Sequence, residues 1–124
     1  MQSTTKKKNI EAAIQRALVI WIKETYPKVR VHATLNELAR QHITMGCDVG
    51  IPDLLLFERR GKIMHAMFLE LKKTKGKLSE SQIDWHEHYC SDLKSSNTNY
   101  AVVYGFLAAQ EAITNWLTTS EASK

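Results

Sequence analysis

Three charged side chains interrupt two apolar runs of this sequence, and together they could support metal-assisted hydrolysis. Asp53 lies near the start of the run Ile51–Phe57, and Glu70 and Lys72 lie at the end of the run Ile63–Leu71. Two carboxylates and an ammonium group that converge can hold a divalent cation with a water beside it. The alternative is a buried ion-pair cluster or an edge-strand salt bridge, because buried charges are not always catalytic.

A short polar segment, Glu58–Lys62, separates the two runs and contains Gly61. Two strand-like runs joined in this way are typical of a β-hairpin. In an antiparallel pair the start of one strand lies beside the end of the other, so the hairpin brings Asp53 towards Glu70 and Lys72. Glu70 and Lys72 point to the same face because they are two residues apart. Since the runs are almost wholly apolar, at least one strand is predicted to be buried on both faces.

The charged residues belong to a longer pattern. Pro52-Asp53, sixteen further residues and then Glu70-Leu71-Lys72 resemble the signature of PD-(D/E)xK nucleases. More narrowly, the sequence resembles the virus-type replication-repair nuclease (VRR-NUC) family. The residues that carry this resemblance are Gly50-x-Pro52-Asp53-Leu54, Phe68-x-Glu70-Leu71-Lys72, Gly76-Lys77-Leu78-Ser79 and Gln82. The resemblance extends from about Glu11 to about Phe106.

The resemblance implies an α/β fold with an αβββαβα core, in which helices flank a mixed sheet. Periodicity and turn residues predict the same order of elements. The predicted helices are Asn9–Glu24, a helix that begins at Ser79, and Leu107–Leu117. The predicted strands are Lys28–Leu35, the two hairpin strands and Asn99–Phe106. Asn36–Arg40 is expected to form a helical turn and His42–Gly50 a loop, whose glycines permit a close backbone approach to a ligand or simply a turn.

The resemblance also implies metal-dependent hydrolysis of DNA phosphodiester bonds. Asp53 and Glu70 are implied to ligate Mg²⁺ or Mn²⁺, with the main-chain carbonyl of Leu71 as a further ligand. Hard oxygen ligands suit both ions. Lys72 is implied to orient the attacking water or to stabilise charge in the transition state.

Glu11 and Gln82 each have two interpretations. Glu11 falls inside the apolar stripe of the first helix, between Ile14 and Leu18. It either interacts favourably with the positive end of the helix dipole or, as the resemblance implies, assists the metal site. Gln82 completes a Ser-x-x-Gln capping box with Ser79 at the start of the second long helix. The resemblance implies that Gln82 also lies at the active site, and the two roles are compatible.

The apolar stripes predict which helix faces turn inward. On the first helix the stripe consists of Ile10, Ala13, Ile14, Ala17, Leu18, Trp21 and Ile22. On the second long helix the predicted inner face consists of Ile83, His86, Cys90 and Leu93. Trp85 lies off that face, one turn from Tyr89. It therefore either packs under the closing helix or, with Tyr89, anchors a subunit interface.

Composition bounds the remaining possibilities. The 124 residues are predicted to form a single domain, with a flexible basic arm at 1–8 and a flexible tail at 118–124. A net charge of +4 suits a polyanionic partner. No apolar run is long enough for a transmembrane helix, and no secretory signal is expected. Cys47 and Cys90 are interpreted as free thiols in a reducing compartment, either the cytoplasm, for a bacterial or phage-encoded protein, or another reducing intracellular compartment.

Three further lysines follow the second carboxylate. Lys73, Lys75 and Lys77 could position phosphates next to the site, or they could form a solvated loop. Asp48 is given little weight as a ligand. Zinc is also disfavoured, because His86 and His88 face different directions on a helix and a pair of ligands does not make a structural site.

Some stand-alone members of the resembled family are similar to Holliday-junction resolvases and act as homodimers. The predicted function is therefore that of a junction-cutting homodimeric DNA endonuclease. The alternatives are a flap or general DNA nuclease, a non-catalytic DNA-binding module with the nuclease fold, and a sequence-specific restriction nuclease. All three central residues, Asp53, Glu70 and Lys72, are present, which favours activity.

Overall fold

The computed structural model describes residues 2–34, 44, 50–89 and 97–122. Its elements, in chain order, are α1 (Gln2–Thr25), β1 (Arg30–Ala33), β2 (Leu54–Arg60), β3 (Ile63–Lys72), α2 (Glu80–Tyr89), β4 (Thr98–Tyr104) and α3 (Phe106–Ala122). This is the order helix, strand, strand, strand, helix, strand, helix that the sequence predicts. The α/β fold with a mixed sheet flanked by helices is therefore confirmed.

Strand β3 lies in the interior of the sheet. The four strands follow the order β1-β2-β3-β4, with antiparallel pairing as far as β3 and parallel pairing between β3 and β4. The hairpin turn is shorter than the polar segment suggests, because Arg60 pairs directly with Ile63. Only Gly61 and Lys62 form the loop, and Gly61 adopts a φ of 64° that suits glycine in such a tight turn.

One face of the sheet packs against α1 and α3 and forms the apolar core. Its buried members are Leu18, Ile22, Val29, Leu54, Leu56, Met67, Leu69, Leu71, Val103, Ala109, Ile113, Trp116 and Leu117. Fully burying one such leucine or isoleucine side chain stabilises the fold by about 1.5–3 kcal/mol. The core therefore fixes β2, β3 and β4 as a rigid platform, on whose edge and opposite face polar groups can be positioned.

The opposite face of the sheet carries the charged residues of β3. Because side chains alternate along a strand, Phe68, Glu70 and Lys72 point away from the core residues Leu69 and Leu71. The last four residues of β3 are all buried, so this end of the strand is covered on both faces as predicted, whereas Ile63 and Met64 at its start are exposed. Glu70 is 1% exposed and Lys72 is 7% exposed, so the covered opposite face is polar at this end.

Helix α2 covers this second face with aromatic contacts. Trp85 lies 5.5 Å from Phe68 between ring centroids, and the ring of His86 lies 4.5 Å from that of Tyr100. The prediction that Ile83 faces inward is wrong, since its side chain is 42% exposed. The first residue of α2 that faces inward is instead Gln82, which is buried. The first turn of α2 packs against the polar end of β3 and not against an apolar surface.

The position of Trp85 also corrects one interpretation. Trp85 packs on Phe68 and on Tyr89, the latter at 5.1 Å, and not under the closing helix. Helix α3 packs with the core cluster on the other face of the sheet. Tyr89 is 55% exposed and is the outermost aromatic ring of this group of three.

Helix α1 begins at Gln2, seven residues before the Asn9 start that its sequence suggests. Glutamine and lysine are good helix formers, which explains the extension. Leu18 and Ile22 are buried as predicted, but three residues of the predicted stripe, Ile10, Ala13 and Ala17, are exposed. The helix touches the sheet along a narrow line only, so its apolar stripe is wider than the contact.

Arg60 fastens the hairpin tip to α3. Its guanidinium pairs with Glu58, donates a hydrogen bond of 3.1 Å to His65 Nδ1 and lies 5.0 Å from the centroid of the Trp116 ring. This cluster lies at the opposite end of β2 and β3 from Asp53 and Lys72. The two ends of the hairpin therefore differ: one is fastened to a helix and the other carries the charged residues.

Several sequence predictions lie outside the described residues. They concern Leu35, the helical turn at 36–40, most of the loop at 42–49 with Cys47 and Asp48, and Cys90 and Leu93 beyond α2. The predicted strand from residue 28 begins at Arg30, and the predicted strand to Phe106 ends at Tyr104. Gly105, with a φ of 98°, separates β4 from α3. Among the described residues, no helix has both the length and the apolar character needed to cross a membrane.

Candidate active site

Asp53 is held at the open end of the hairpin by both neighbouring strands. Leu54 pairs with Leu69, so the register places Asp53 opposite Glu70. The main-chain N–H of Leu71 donates a hydrogen bond of 2.8 Å to Asp53 Oδ2. The first carboxylate is therefore anchored to the strand that carries the second one.

Thr34 holds the main chain of Asp53 from the other side. Its N–H donates to the Asp53 carbonyl at 3.0 Å, and its hydroxyl donates to the Pro52 carbonyl at 2.8 Å. These bonds extend the pairing of β1 with β2 just beyond Ala33. The Pro52-Asp53 segment is thereby fixed on both sides before any ligand binds.

Gln82 connects Glu70 to helix α2. Its Nε2 donates a hydrogen bond of 3.0 Å to Glu70 Oε2, and its Oε1 accepts one of 2.8 Å from the N–H of Ser79. The Gln82 N–H donates in turn to Ser79 Oγ at 3.2 Å. The capping box is thus formed, and the same amide also reaches the buried carboxylate.

Glu70 is the most strongly perturbed titratable group among the described residues. Burial, followed by a side-chain hydrogen bond with Asp53 and the negative charge of Asp53, raises its pKa to about 10, while the Lys72 ammonium opposes the rise. The charge of Glu11 contributes a smaller increase. A hydrogen bond between two carboxylates requires a proton between them. In the geometry of the described residues, Glu70 Oε1 is buried with no hydrogen-bond partner.

Lys72 ends β3 on the same face as Glu70. Its carbonyl accepts a hydrogen bond of 2.9 Å from the Gly105 N–H, so β4 fixes the main chain at this point. Its side chain is packed by the following turn. A Cβ placed on Gly76 would lie 3.3 Å from Lys72 Cβ and 3.0 Å from the Lys73 carbonyl oxygen. Glycine at position 76 therefore lets the turn cover the stem of Lys72.

Gly50 makes the closest backbone contact of the site. A Cβ at this position would lie 2.2 Å from the Ser81 carbonyl oxygen, and its φ is 95°. Both facts require glycine. The sequence suggested that glycines of this loop allow a ligand to approach or form simple turns. Gly50 instead lets the Gly-x-Pro-Asp segment pack against the first turn of α2, which brings Asp53 and Gln82 to one place.

Glu11 lies at the margin of this group. Its Oε2 accepts a hydrogen bond of 3.2 Å from the Lys73 N–H, directly after the end of β3. Glu11 shares the inward face of α1 with Leu18 and Ile22, as its place in the stripe predicts. The helix therefore presents one carboxylate to the strand end and its apolar residues to the core.

The lysines after β3 occupy a tight turn. The Gly76 N–H donates a hydrogen bond of 2.8 Å to the Lys73 carbonyl, and Lys75 adopts a φ of 69°. The left-handed residue of the turn is thus Lys75 and not Gly76. Lys73 is half-buried, while Lys75 and Lys77 are exposed. Only the latter two present their charges fully to solvent.

The oxygen groups of the site fit a hard divalent cation. Among the described residues, no three His, Cys, Asp or Glu side chains are grouped so that they could hold a metal ion. Asp53 and Glu70 supply two carboxylates, and Glu70 Oε1 has no partner. Magnesium is usually bound through one or two carboxylates while it keeps several waters. The donor set therefore suits Mg²⁺ or Mn²⁺ better than a closed structural zinc site.

Fold and site together define a nuclease-like α/β protein. The chain matches the family model of the VRR-NUC domain over residues 8–107. It belongs to the VRR-NUC family, as its motifs predict, and a domain of this family implies a nuclease-type function acting on DNA. A solved structure described as "VRR_NUC domain protein" is similar in fold, with a TM-score of 0.68, 20% identity and coverage of 88% of each chain. The comparison with curated proteins gives no match.

The structure brings together most of the predicted site residues and adds one. Asp53, Glu70, Leu71, Lys72 and Gln82 meet at the end of the sheet. Sequence reasoning missed Thr34, whose hydrogen bonds fix the main chain of Asp53. A threonine at the end of a short strand carries no signal of this role, because its partners lie eighteen and nineteen residues away.

Proposed function

We propose that this protein is a metal-dependent, structure-selective DNA endonuclease. The observation that carries the proposal is the carboxylate pair. Asp53 is bound to the Leu71 N–H, Glu70 is held by Gln82, and Glu70 Oε1 remains buried without a partner. A buried, unpaired carboxylate oxygen is costly for folding alone, so its presence favours a cation ligand.

Asp53, Glu70 and the Leu71 carbonyl are the proposed metal ligands. When bound, Mg²⁺ or Mn²⁺ supplies a water of lowered pKa and stabilises charge on the phosphate. The Lys72 ammonium orients the water or stabilises the transition state from the same face. Gln82 fixes the orientation of the Glu70 carboxylate. Glu11 adds negative charge beside these ligands, and Lys73, Lys75 and Lys77 hold the DNA backbone.

The proposed substrate is branched DNA, with a four-way junction first among the candidates. A junction has two-fold symmetry and needs paired cuts, which two identical sites in a homodimer supply. A chain of 14.2 kDa offers little surface of its own for choosing a DNA shape. Exposed Tyr89 is the proposed aromatic anchor between subunits; Trp85 supports its ring at 5.1 Å.

One cleavage assay tests the chemistry and the substrate together. Four-way junction, flap, single-stranded and duplex DNA are incubated with Mg²⁺, Mn²⁺ or EDTA, using the parent and Asp53→Asn. Asp53→Asn keeps an oxygen that can accept from the Leu71 N–H and loses the charge. We expect cleavage of junctions that EDTA abolishes and that Asp53→Asn lowers at least a hundredfold, on the scale of a removed transition-state contact. Parental rates for the folded variant would exclude the site.

Solution mass tests the dimer separately. Light scattering at micromolar concentration should report roughly twice the chain mass of 14.2 kDa. Tyr89→Ala should shift the protein towards monomer, with Ile83→Ala, another exposed residue of α2, as the matched control. A monomer that cuts flaps better than junctions would overturn the junction-cutting homodimer and leave the metal-dependent nuclease chemistry in place.

A further inference from the structure

We propose that Tyr104 stacks on the unstacked face of a DNA base next to the scissile phosphate. This inference rests on the proposed function and specifies the DNA feature that the site selects. Tyr104 pairs with Lys72 in the parallel register of β3 and β4. Paired residues of neighbouring strands point to the same face, so the tyrosine ring and the lysine lie side by side on the face that carries Glu70.

The ring of Tyr104 is available to a ligand. Its side chain is 46% exposed, whereas the neighbouring Lys72 is 7% exposed. Within the part of the chain that the structure describes, no hydrogen bond engages the Tyr104 hydroxyl. Gly105 follows with a φ of 98°, and space is open where its Cβ would be. The ring therefore stands at the rim of the site without a side chain after it to cover it.

A second exposed apolar residue follows Tyr104 in the chain. Leu107, in the first turn of α3, is 78% exposed, a larger fraction than any other large hydrophobic side chain among the described residues. Exposed apolar groups beside a polar site are typical of a binding surface. The lysine-rich turn after β3 lies next to this rim, because Lys72 precedes it and Gly105 is bonded to Lys72.

The chemistry of the neighbours identifies the ligand as a nucleobase. With a cation bound by the carboxylate pair, a phosphate held between that cation and Lys72 would place its own nucleotides close to the Tyr104 ring. An aromatic ring beside it can gain about 1–3 kcal/mol by stacking on one base. In an intact duplex both faces of every base are already stacked, so the ring can only reach a base at a branch point or at a single-strand boundary.

The Tyr104 ring therefore lets each subunit select branched DNA at its own active site. The ring adds binding energy when the base beside the cut has an unstacked face, as at a fork, a flap or the open centre of a four-way junction, and adds none on a continuous duplex. This preference is independent of whether two subunits assemble. It predicts that forks and flaps are recognised by a single active site.

Binding of a forked oligonucleotide tests the inference in the cleavage-deficient Asp53→Asn background. The fork carries the fluorescent base 2-aminopurine at the first unpaired position. Tyr104→Ala and Tyr104→Leu remove the ring, the second with the apolar bulk retained, while Tyr104→Phe retains the ring. Met64→Ala is the matched control, since Met64 is also exposed, at 64%, but lies at the hairpin end of β3, away from Lys72.

We expect quenching of the fluorescent base on binding to be lost in Tyr104→Ala and Tyr104→Leu and retained in Tyr104→Phe and Met64→Ala. Fork affinity should fall roughly 5- to 150-fold without the ring, with unchanged affinity for a continuous duplex of equal length. Equal loss for fork and duplex, or unchanged quenching, would overturn the stacking role. So would a shift to a smaller solution mass in Tyr104→Ala with fork binding unaltered, because the residue would then belong to a subunit interface.

The outcome also separates this inference from the proposed function. With Tyr104 in place and Asp53 restored, metal-dependent cleavage should be observed, and Tyr104→Leu should lower cleavage of forks while sparing duplex nicking. A parent that neither binds nor cuts DNA overturns the nuclease proposal and the stacking role together. A parent that cuts DNA while Tyr104→Leu behaves like it overturns the stacking role alone.

Discussion

Gln82 and Glu70 are joined by a hydrogen bond of 3.0 Å that ties the start of α2 to the interior strand of the sheet. The amide of Gln82 is used twice, because its oxygen simultaneously accepts from the Ser79 N–H. Its orientation is thus set by the helix cap, and the donor is left pointing at the carboxylate. A residue that looks like an ordinary cap also positions a proposed metal ligand.

Substitutions can separate these two uses of Gln82. Ser79→Ala removes the capping hydroxyl and should cost about 1 kcal/mol of stability with little change in cleavage by the folded protein. Gln82→Glu keeps an acceptor for Ser79 but loses the donor to Glu70, and should lower cleavage more than tenfold. Thermal unfolding and single-turnover cleavage measure the two effects. Equal loss of activity in both variants would show that only the cap matters.

The pH dependence of stability should report the buried carboxylate. The pKa of Glu70 is raised from 4.5 to about 10, so the folded state keeps a proton that the unfolded state releases above pH 4.5. The contribution of protonated Glu70 to the free energy of unfolding is therefore fully present below pH 4.5 and is lost as the pH rises towards 10. In EDTA at pH 8, Glu70→Gln should unfold at a higher temperature than the parent, by roughly 4 °C for each kcal/mol gained.

Unfolding at acidic pH and unfolding with Mg²⁺ provide the controls for this measurement. At pH 4 in EDTA, Glu70 of the parent is mainly protonated in both the folded and the unfolded state, so the advantage of Glu70→Gln should shrink. At pH 8, Mg²⁺ should stabilise the parent more than the variant, because ligand binding to the folded state raises stability. Unfolding temperatures that keep a constant difference across pH would contradict the raised pKa.

The lysines at the end of β3 should differ in their effects. Lys72→Ala should abolish turnover with DNA binding largely retained. Lys75→Asn removes the lysine charge with a residue type that readily adopts the left-handed φ of 69°. Lys75→Asn and Lys77→Ala should each weaken binding to all sequences and reduce the salt slope by up to about 1. If Lys72→Ala changed only the salt slope, Lys72 would be another phosphate contact.

Gly50 should be far less tolerant of substitution than Gly61. Both have positive φ, 95° and 64°, but a Cβ at Gly50 meets the Ser81 carbonyl oxygen at 2.2 Å while Gly61 faces open space. Gly61→Ala should cost about 1–2 kcal/mol from its backbone conformation alone. Gly50→Ala adds about 1–3 kcal/mol of steric strain and displaces α2 from Asp53. Chemical denaturation of both variants measures the difference, and equal midpoints would contradict the close contact.

The sequence predicts the hairpin and its charged end because both depend on local patterns. The two apolar runs and the short turn between them set the register. The Ser79–Gln82 box sets the start of α2. The face of α2 could not be predicted in this way. Its inner residues Gln82 and Trp85 meet a carboxylate and Phe68, and this surface becomes visible only after β3 is placed in the sheet.

The contacts that hold Asp53 were hidden for a related reason. Thr34 and Gly50 act through main-chain atoms of distant segments, and neither role follows from the side-chain pattern. On α1, apolar periodicity predicted a wide inward stripe, yet the sheet covers only a narrow one and leaves Ile10 exposed at 47%. Periodicity identifies which residues share a face, but the partner decides how much of that face is buried.

The parallel pairing of β3 with β4 also has a consequence for how the chain folds. The β2–β3 hairpin needs a loop of two residues, but β4 joins β3 only after the segment that contains α2 has crossed over. Non-local pairs form late. Until then, β3 has an unpaired backbone edge from Met67 to Leu71, where most side chains are apolar. Unpaired edges of this kind are sites of aggregation. Pulse-labelled hydrogen exchange should show β4 protected after the hairpin, and nascent chains that have not yet reached β4 will depend on chaperones.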